Sequence, residues 1–177
     1  MSMRKATLAA AIVVLSAAVV NAAEPVKSPH LGTPVTAEDL AKWDLTIFPD
    51  GRGLPEGRGT AAEGRVVYDK HCASCHGMSG RGGTAEELVS APQPLTDEGA
   101  SKAIGPYWPY ATTLFDFTRR SMPPQAPGSL TNGEVYAVTA YLLAANKVIG
   151  VTDEMSAKTL AKVKMPNRDG FVTIDAK

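Results

Sequence analysis

Apolar positions recur along the middle of the chain with the spacing of helices. Gly64, Val67, Tyr68 and His71 fall at i, i+3, i+4 and i+7, which lines one face of a helix over 61–71. Thr60 and Glu63 stand before it in a T-x-x-E capping pattern. A second helix is predicted over 111–121, with Leu114, Phe115 and Thr118 inward. A third is predicted over 133–145, with a Thr131/Glu134 box at its start, Val135, Val138, Thr139 and Leu142 on one face, Tyr141 beside it and Asn146 as its stop. A short helix after Thr36, with Asp39 in the box position, leads to Trp43, Ile47 and Phe48, all expected inside. Helical turns are expected at 85–89 and 153–164, a proline-stiffened aromatic turn at 105–110 and a turn at 165–171. Glycine and proline crowd 49–55, 77–83 and 91–95, which marks these as loops. Gly64 costs its helix ~1 kcal/mol relative to alanine, so close contact with another helix is expected there. The reading is all-α.

The first stretch has a different character. Arg4 and Lys5 precede an apolar run broken only by Thr7 and Ser16, and small Ala22 and Ala23 lead into Glu24-Pro25. That is the pattern of a secretory signal peptide over 1–23. Its apolar core is short for the ~20 residues of a membrane span, and its small-residue exit favours cleavage over anchoring. About 150 residues then remain, enough for one domain. The expected organisation is an extended segment over 24–59 packed on a domain over 60–150, and a C-terminal extension over 151–177. No later stretch is long and apolar enough to span, so no membrane span is expected in the processed chain. Losing Arg4 and Lys5 leaves 16 basic against 18 acidic side chains. No basic stripe of the kind nucleic acids need is present.

The chemistry concentrates in His71-Cys72-Ala73-Ser74-Cys75-His76-Gly77. Cys72, Cys75 and His76 form C-x-x-C-H, the attachment signature of c-type haem. Two thiols one helical turn apart can each add to a vinyl group of one porphyrin, and the next residue then offers an imidazole to the iron. A thioredoxin-like dithiol needs a βαβ setting, and helix precedes this motif instead. A zinc site lacks ligands, because His30 and His71 do not form a second pair. Export fits the haem reading and implies a periplasmic protein. A carbonyl in the 91–95 loop is expected to hold the ring N–H of His76. Trp108 and Tyr110 are candidates for packing on the haem edge, and Arg119 and Arg120 suit a helix C-terminus. The sixth iron ligand is assigned to Met122, which lies in a loop between helices. Met78 is too close to His76 to cross the haem, Met155 sits in a charged, helix-like segment, and Met165 is the runner-up. Thioether ligation raises the haem potential.

Gly64-x-x-x-Tyr68-x-x-x-Cys72-x-x-Cys75-His76, a later Met122-Pro123 and a terminal helix carrying Tyr141 resemble class I cytochromes c. That resemblance implies a few helices around one covalent haem c, the first helix crossing the last at Gly64, and axial ligands at His76 and Met122. A longer set of segments resembles the SoxD-like cytochrome subunit of sulfite or sulfane dehydrogenases of sulfur oxidation. These are Trp43-Asp44, Pro49-Asp50-Gly51-Arg52-Gly53-Leu54-Pro55, the run from Tyr107-Trp108-Pro109-Tyr110 to Phe115-Asp116, and Met165-Pro166-Asn167-Arg168-Asp169-Gly170-Phe171. The resemblance implies an electron carrier rather than a catalytic subunit. Its donor would be a molybdenum-containing sulfite or sulfane dehydrogenase subunit, and its acceptor another cytochrome c or an oxidase. With one C-x-x-C-H, only a single-haem role carries over. The alternatives are a free-standing shuttle unlinked to sulfur and, from another class, a haem enzyme or gas sensor with an open iron site.

Overall fold

The computed structural model describes residues 31–172, so the signal-peptide reading lies outside the described residues. The chain divides after Thr36, and every element below belongs to the unit that begins at Ala37. In order these are α1 (Ala37–Trp43), β1 (Arg58–Thr60), α2 (Ala61–His71), α3 (Ala73–His76), α4 (Ile104–Tyr107), α5 (Ala111–Ser121), α6 (Asn132–Ala145), β2 (Glu154–Ser156) and a 3₁₀ turn (Leu160–Lys162). The fold is helical, as expected, with one short antiparallel ladder added.

The two long capped helices start where their boxes place them. At α2 the Glu63 carboxylate accepts the Thr60 backbone N–H (2.8 Å), and Thr60 Oγ1 accepts the Glu63 N–H (3.4 Å). Thr131 and Glu134 repeat the arrangement at α6 (2.8 and 3.3 Å). Each box satisfies two N–H groups that the first turn leaves without partners. At its other end α5 stops at Met122, which is extended, and Pro123-Pro124 cannot continue a helix.

α6 is the centre of the unit. Val135, Tyr136, Val138, Thr139, Ala140, Leu142 and Leu143 are all buried, more than a one-faced helix would bury, because elements surround it. α2 crosses it at Gly64, where any Cβ would run into the Ala137 carbonyl and Cβ of Tyr141. One turn along, the Tyr68 and Tyr141 rings meet at 5.0 Å. α5 packs through Phe115, whose ring lies 4.4 Å from that of Tyr136. Tyr136 also donates its hydroxyl to the Pro55 carbonyl at 2.8 Å, which ties down the segment before β1. Burying each of these large side chains is worth roughly 1.5–3 kcal/mol.

Several expectations about local structure differ from what is found. Residues 153–164 do not form a helix. Glu154–Ser156 instead pairs with Arg58–Thr60, Gly59 facing Met155, and only three residues of 3₁₀ turn follow. Met155 is thereby a buried strand residue. Residues 85–89 form no helical turn, because the N–H groups of Leu88 and Val89 both reach back to the Gly80 carbonyl (2.7 and 3.1 Å) and that of Ala85 to Cys75 (2.9 Å). Ile47 is buried, but Trp43 is 84% exposed and Phe48 41% exposed. α1 buries none of its residues, and the Arg52 guanidinium lies 4.2 Å over the Phe48 ring. The turn expected at 105–110 opens instead with the single helical turn of α4.

Two measurements test this account. Gly64→Ala is expected to destabilise by about 2 kcal/mol or more, since backbone lies in the way; an unchanged urea midpoint would contradict the crossing. Glu63 and Glu134 are held below their ordinary 4.5, chiefly by the Thr60 and Thr131 backbone N–H groups. The stability these boxes add is therefore present above 4.5 and lost as pH falls through the lower folded values. Glu63→Gln/Glu134→Gln should flatten part of that acid loss, and superimposable pH profiles would show that the boxes add none.

Candidate haem site

The motif is built by the last turns of α2 and the single turn of α3. The Cys72 carbonyl accepts the N–H groups of both Cys75 (3.1 Å) and His76 (3.0 Å), so the two cysteines sit one turn apart on a common side. They are not joined to each other. Burial pushes the Cys72 thiol up to about 11, the reverse of the lowered value that marks a redox or nucleophilic cysteine. Cys75 is exposed.

Behind the motif Tyr68, fully buried, donates its hydroxyl to the Gly77 carbonyl at 2.8 Å. Burial pushes that phenol up to about 12, so it remains a protonated donor across the physiological range. The residue after His76 is thus fixed from inside the helix crossing.

His76 Nδ1 lies 2.7 Å from the Glu86 carbonyl oxygen. A carbonyl only accepts, so Nδ1 is the donor here, and Nε2 is the nitrogen left to face a metal. The partner was expected in the 91–95 loop and lies earlier. The bonds that stop 85–89 from coiling leave the Glu86 carbonyl free for the imidazole. Glu86 carries no sequence signal for this role, because its backbone rather than its side chain does the work.

A cavity of about 250 Å³ opens beside the motif. Its floor is Leu88, Ile104, Leu114, Val138 and Leu142, and Cys72, Cys75, His76, Trp108, Thr118 and Met122 also line it. Four regions distant in sequence therefore converge on one apolar chamber. The exposed side chains of Cys75, Phe117, Pro124 and Gln125 border it, so its mouth lies beside the second cysteine. Tyr110 is placed elsewhere: it is half-buried, with the Arg168 guanidinium 4.3 Å over its ring. Asn167 donates to the Tyr107 carbonyl (2.6 Å), and Phe171 meets the Tyr107 ring edge-on. Residues 165–171 thus brace the 107–110 elbow from which Trp108 reaches the cavity. Met165 is buried in the core and Met78 is exposed; neither lines the cavity. Arg120 is paired with Asp116 one turn back.

Residues 61–146 match the family model for cytochrome c. The crystal structure of the sulfane dehydrogenase SoxCD from Paracoccus pantotrophus contains a chain of the same fold, with a TM-score of 0.78 and 35% identity. The match covers 82% of this chain and 72% of that one. This chain belongs to the cytochrome c family. A curated thiosulfate dehydrogenase from Stutzerimonas stutzeri (strain A1501) is 27% identical over 132 residues. That match takes in 69% of this cytochrome but only 42% of the relative, so this chain spans about two fifths of that protein's length.

Membership implies covalently bound haem c, and the residues present fit it. Two unpaired thiols stand at the rim of an apolar chamber, an imidazole offers one nitrogen while its other is anchored, and a soft thioether lies on the same lining. The matched segment begins at Ala61 and ends at Asn146, which is α2 through the last turn of α6. Among the described residues no helix is long and apolar enough to cross a membrane.

Proposed function

We propose that this cytochrome is a periplasmic, single-haem electron carrier that serves a sulfur-oxidising dehydrogenase. Cys72 and Cys75 would hold the group through thioethers, and His76 Nε2 and Met122 Sδ would ligate the iron. When bound, haem c supplies a one-electron ferric/ferrous couple. The chain's own residues do the rest. The Glu86 carbonyl orients His76 and raises its basicity. Leu88, Ile104, Leu114, Val138 and Leu142 keep water from the cavity, and Met122 adds a ligand that favours the reduced ion. The exposed border at Cys75 and Phe117 leaves an edge that a partner can approach.

The observation that carries the partner assignment is the 35% identity with a chain of a sulfane dehydrogenase over most of both lengths. The segments outside the cytochrome core support it too, since residues 165–171 have a structural task in bracing the elbow. The donor is then a molybdenum-containing sulfite or sulfane dehydrogenase subunit, and the acceptor is another cytochrome c or an oxidase. The similarity to a thiosulfate dehydrogenase favours a second reading, in which this haem domain takes electrons directly from a sulfur substrate. Stopped-flow reduction separates the two. The carrier reading expects fast haem reduction by sulfite or a sulfane donor only when the dehydrogenase subunit is present, whereas reduction by thiosulfate alone would support the second.

Ligation is tested on the matured protein. Its mass should exceed that of the processed polypeptide by one haem, and Cys72→Ser/Cys75→Ser should carry none. Met122→Ala should lose the weak far-red ferric band of methionine ligation, while Met165→Leu should keep it. The opposite pattern would move the ligand to Met165.

A further inference from the structure

Asn146 reads in sequence as a helix stop, yet it is 6% exposed and uses its whole amide on backbone. Nδ2 donates to the carbonyls of Leu142 (2.8 Å) and Leu88 (3.0 Å). Oδ1 accepts the N–H groups of Ser90 (3.3 Å) and Gly105 (3.2 Å). Only the Leu142 bond is local; the other three reach residues 41 to 58 positions away. The amide also fills its site tightly, since a Cβ on Gly105 would come within 2.8 Å of Oδ1.

The tied segments are those that shape the proximal side of the cavity. Leu88 and Ile104 both line it, and the Ile104 N–H shares the Leu88 carbonyl at 3.2 Å. Two residues before Leu88 is Glu86, whose carbonyl holds His76 Nδ1. The 85–90 stretch has no helix or strand to keep it in place. Backbone bonds to Gly80, Cys75 and Ile104, the Ser101 hydroxyl donating to the Glu87 carboxylate, and Asn146 hold it in place.

We propose that Asn146 is a positioning residue for the proximal ligand: it clamps the 88–90 backbone to the end of α6 and so holds the Glu86 carbonyl on His76 Nδ1. This rests on the assignment of His76 as an iron ligand. The hydrogen bond at Nδ1 makes the imidazole more electron-donating, which favours ferric iron. Loosening the clamp weakens that bond and raises the potential. A buried amide with four partners is difficult to replace, because an apolar residue leaves unsatisfied two N–H groups and the Leu88 carbonyl's second bond.

The test uses the matured holoprotein and two readouts, the midpoint potential and the NMR solvent-exchange rate of the His76 Nδ1–H in the ferrous state. Asn146→Leu keeps the branched outline, with larger methyl groups in place of the amide, and loses every amide bond. Asn146→Ser, whose hydroxyl reaches only its own helix, keeps the test available if the leucine variant does not mature. Both are expected to speed exchange roughly tenfold, the equivalent of one lost hydrogen bond, and to raise the potential. Leu143→Ala is the control: it removes a fully buried side chain of α6 that does not line the cavity, so it should lower stability and leave both readouts in place. Asn146 variants that match this control would overturn the proposal. A parent protein without imidazole-ligated iron would overturn the ligand assignment along with it, and its ferric spectrum shows which has failed.

Discussion

The contact on which this cytochrome depends is the passage of α2 over α6 at Gly64. Backbone meets backbone there, with no room for a side chain between Gly64 and the Ala137 carbonyl. That approach brings Tyr68 against Tyr141 and lets its hydroxyl reach the Gly77 carbonyl. Cys72, Cys75 and His76 follow directly from the end of α2, so their placement is inherited from the crossing. A wider separation would carry the motif away from Val138 and Leu142, the part of the cavity wall that α6 supplies.

The site divides its labour between side chains and main chain. Side chains bring two thiols, an imidazole and a thioether to the lining of one cavity. Main-chain carbonyls and one buried amide set their attitude. The Glu86 carbonyl selects the tautomer of His76, and the loop that offers it has no regular structure of its own. Such a loop needs anchors at several points, because each backbone bond contributes only ~1 kcal/mol net. Residues 165–171 act similarly on the other wall, holding the elbow that carries Trp108. Residues 165–171, which lie outside the matched segment, are therefore fitted to this cavity.

What the residues revealed in advance follows a pattern. The helices expected at 61–71, 111–121 and 133–145 were legible because their spacing, and at the first and third their capping boxes, are local. The expectation of a close contact at Gly64 came from the glycine penalty, which only tertiary contact repays. The expected helix at 153–164 failed because strand pairing with Arg58–Thr60 joins residues almost a hundred positions apart, and no local signal reports that. Trp43 was misplaced by the rule that large aromatics lie inside. That rule holds only where a neighbour comes to cover them, and α1 buries none of its residues.

The sequence by itself determined the C-x-x-C-H motif and the three main helices, because these are short-range patterns and each carries its physical meaning within a few residues. Tertiary structure alone decided which carbonyl holds His76, which side chains close the cavity and which aromatics stay outside it. Those choices depend on the meeting of segments far apart in the chain, and backbone atoms, which are alike at every position, make many of the deciding contacts.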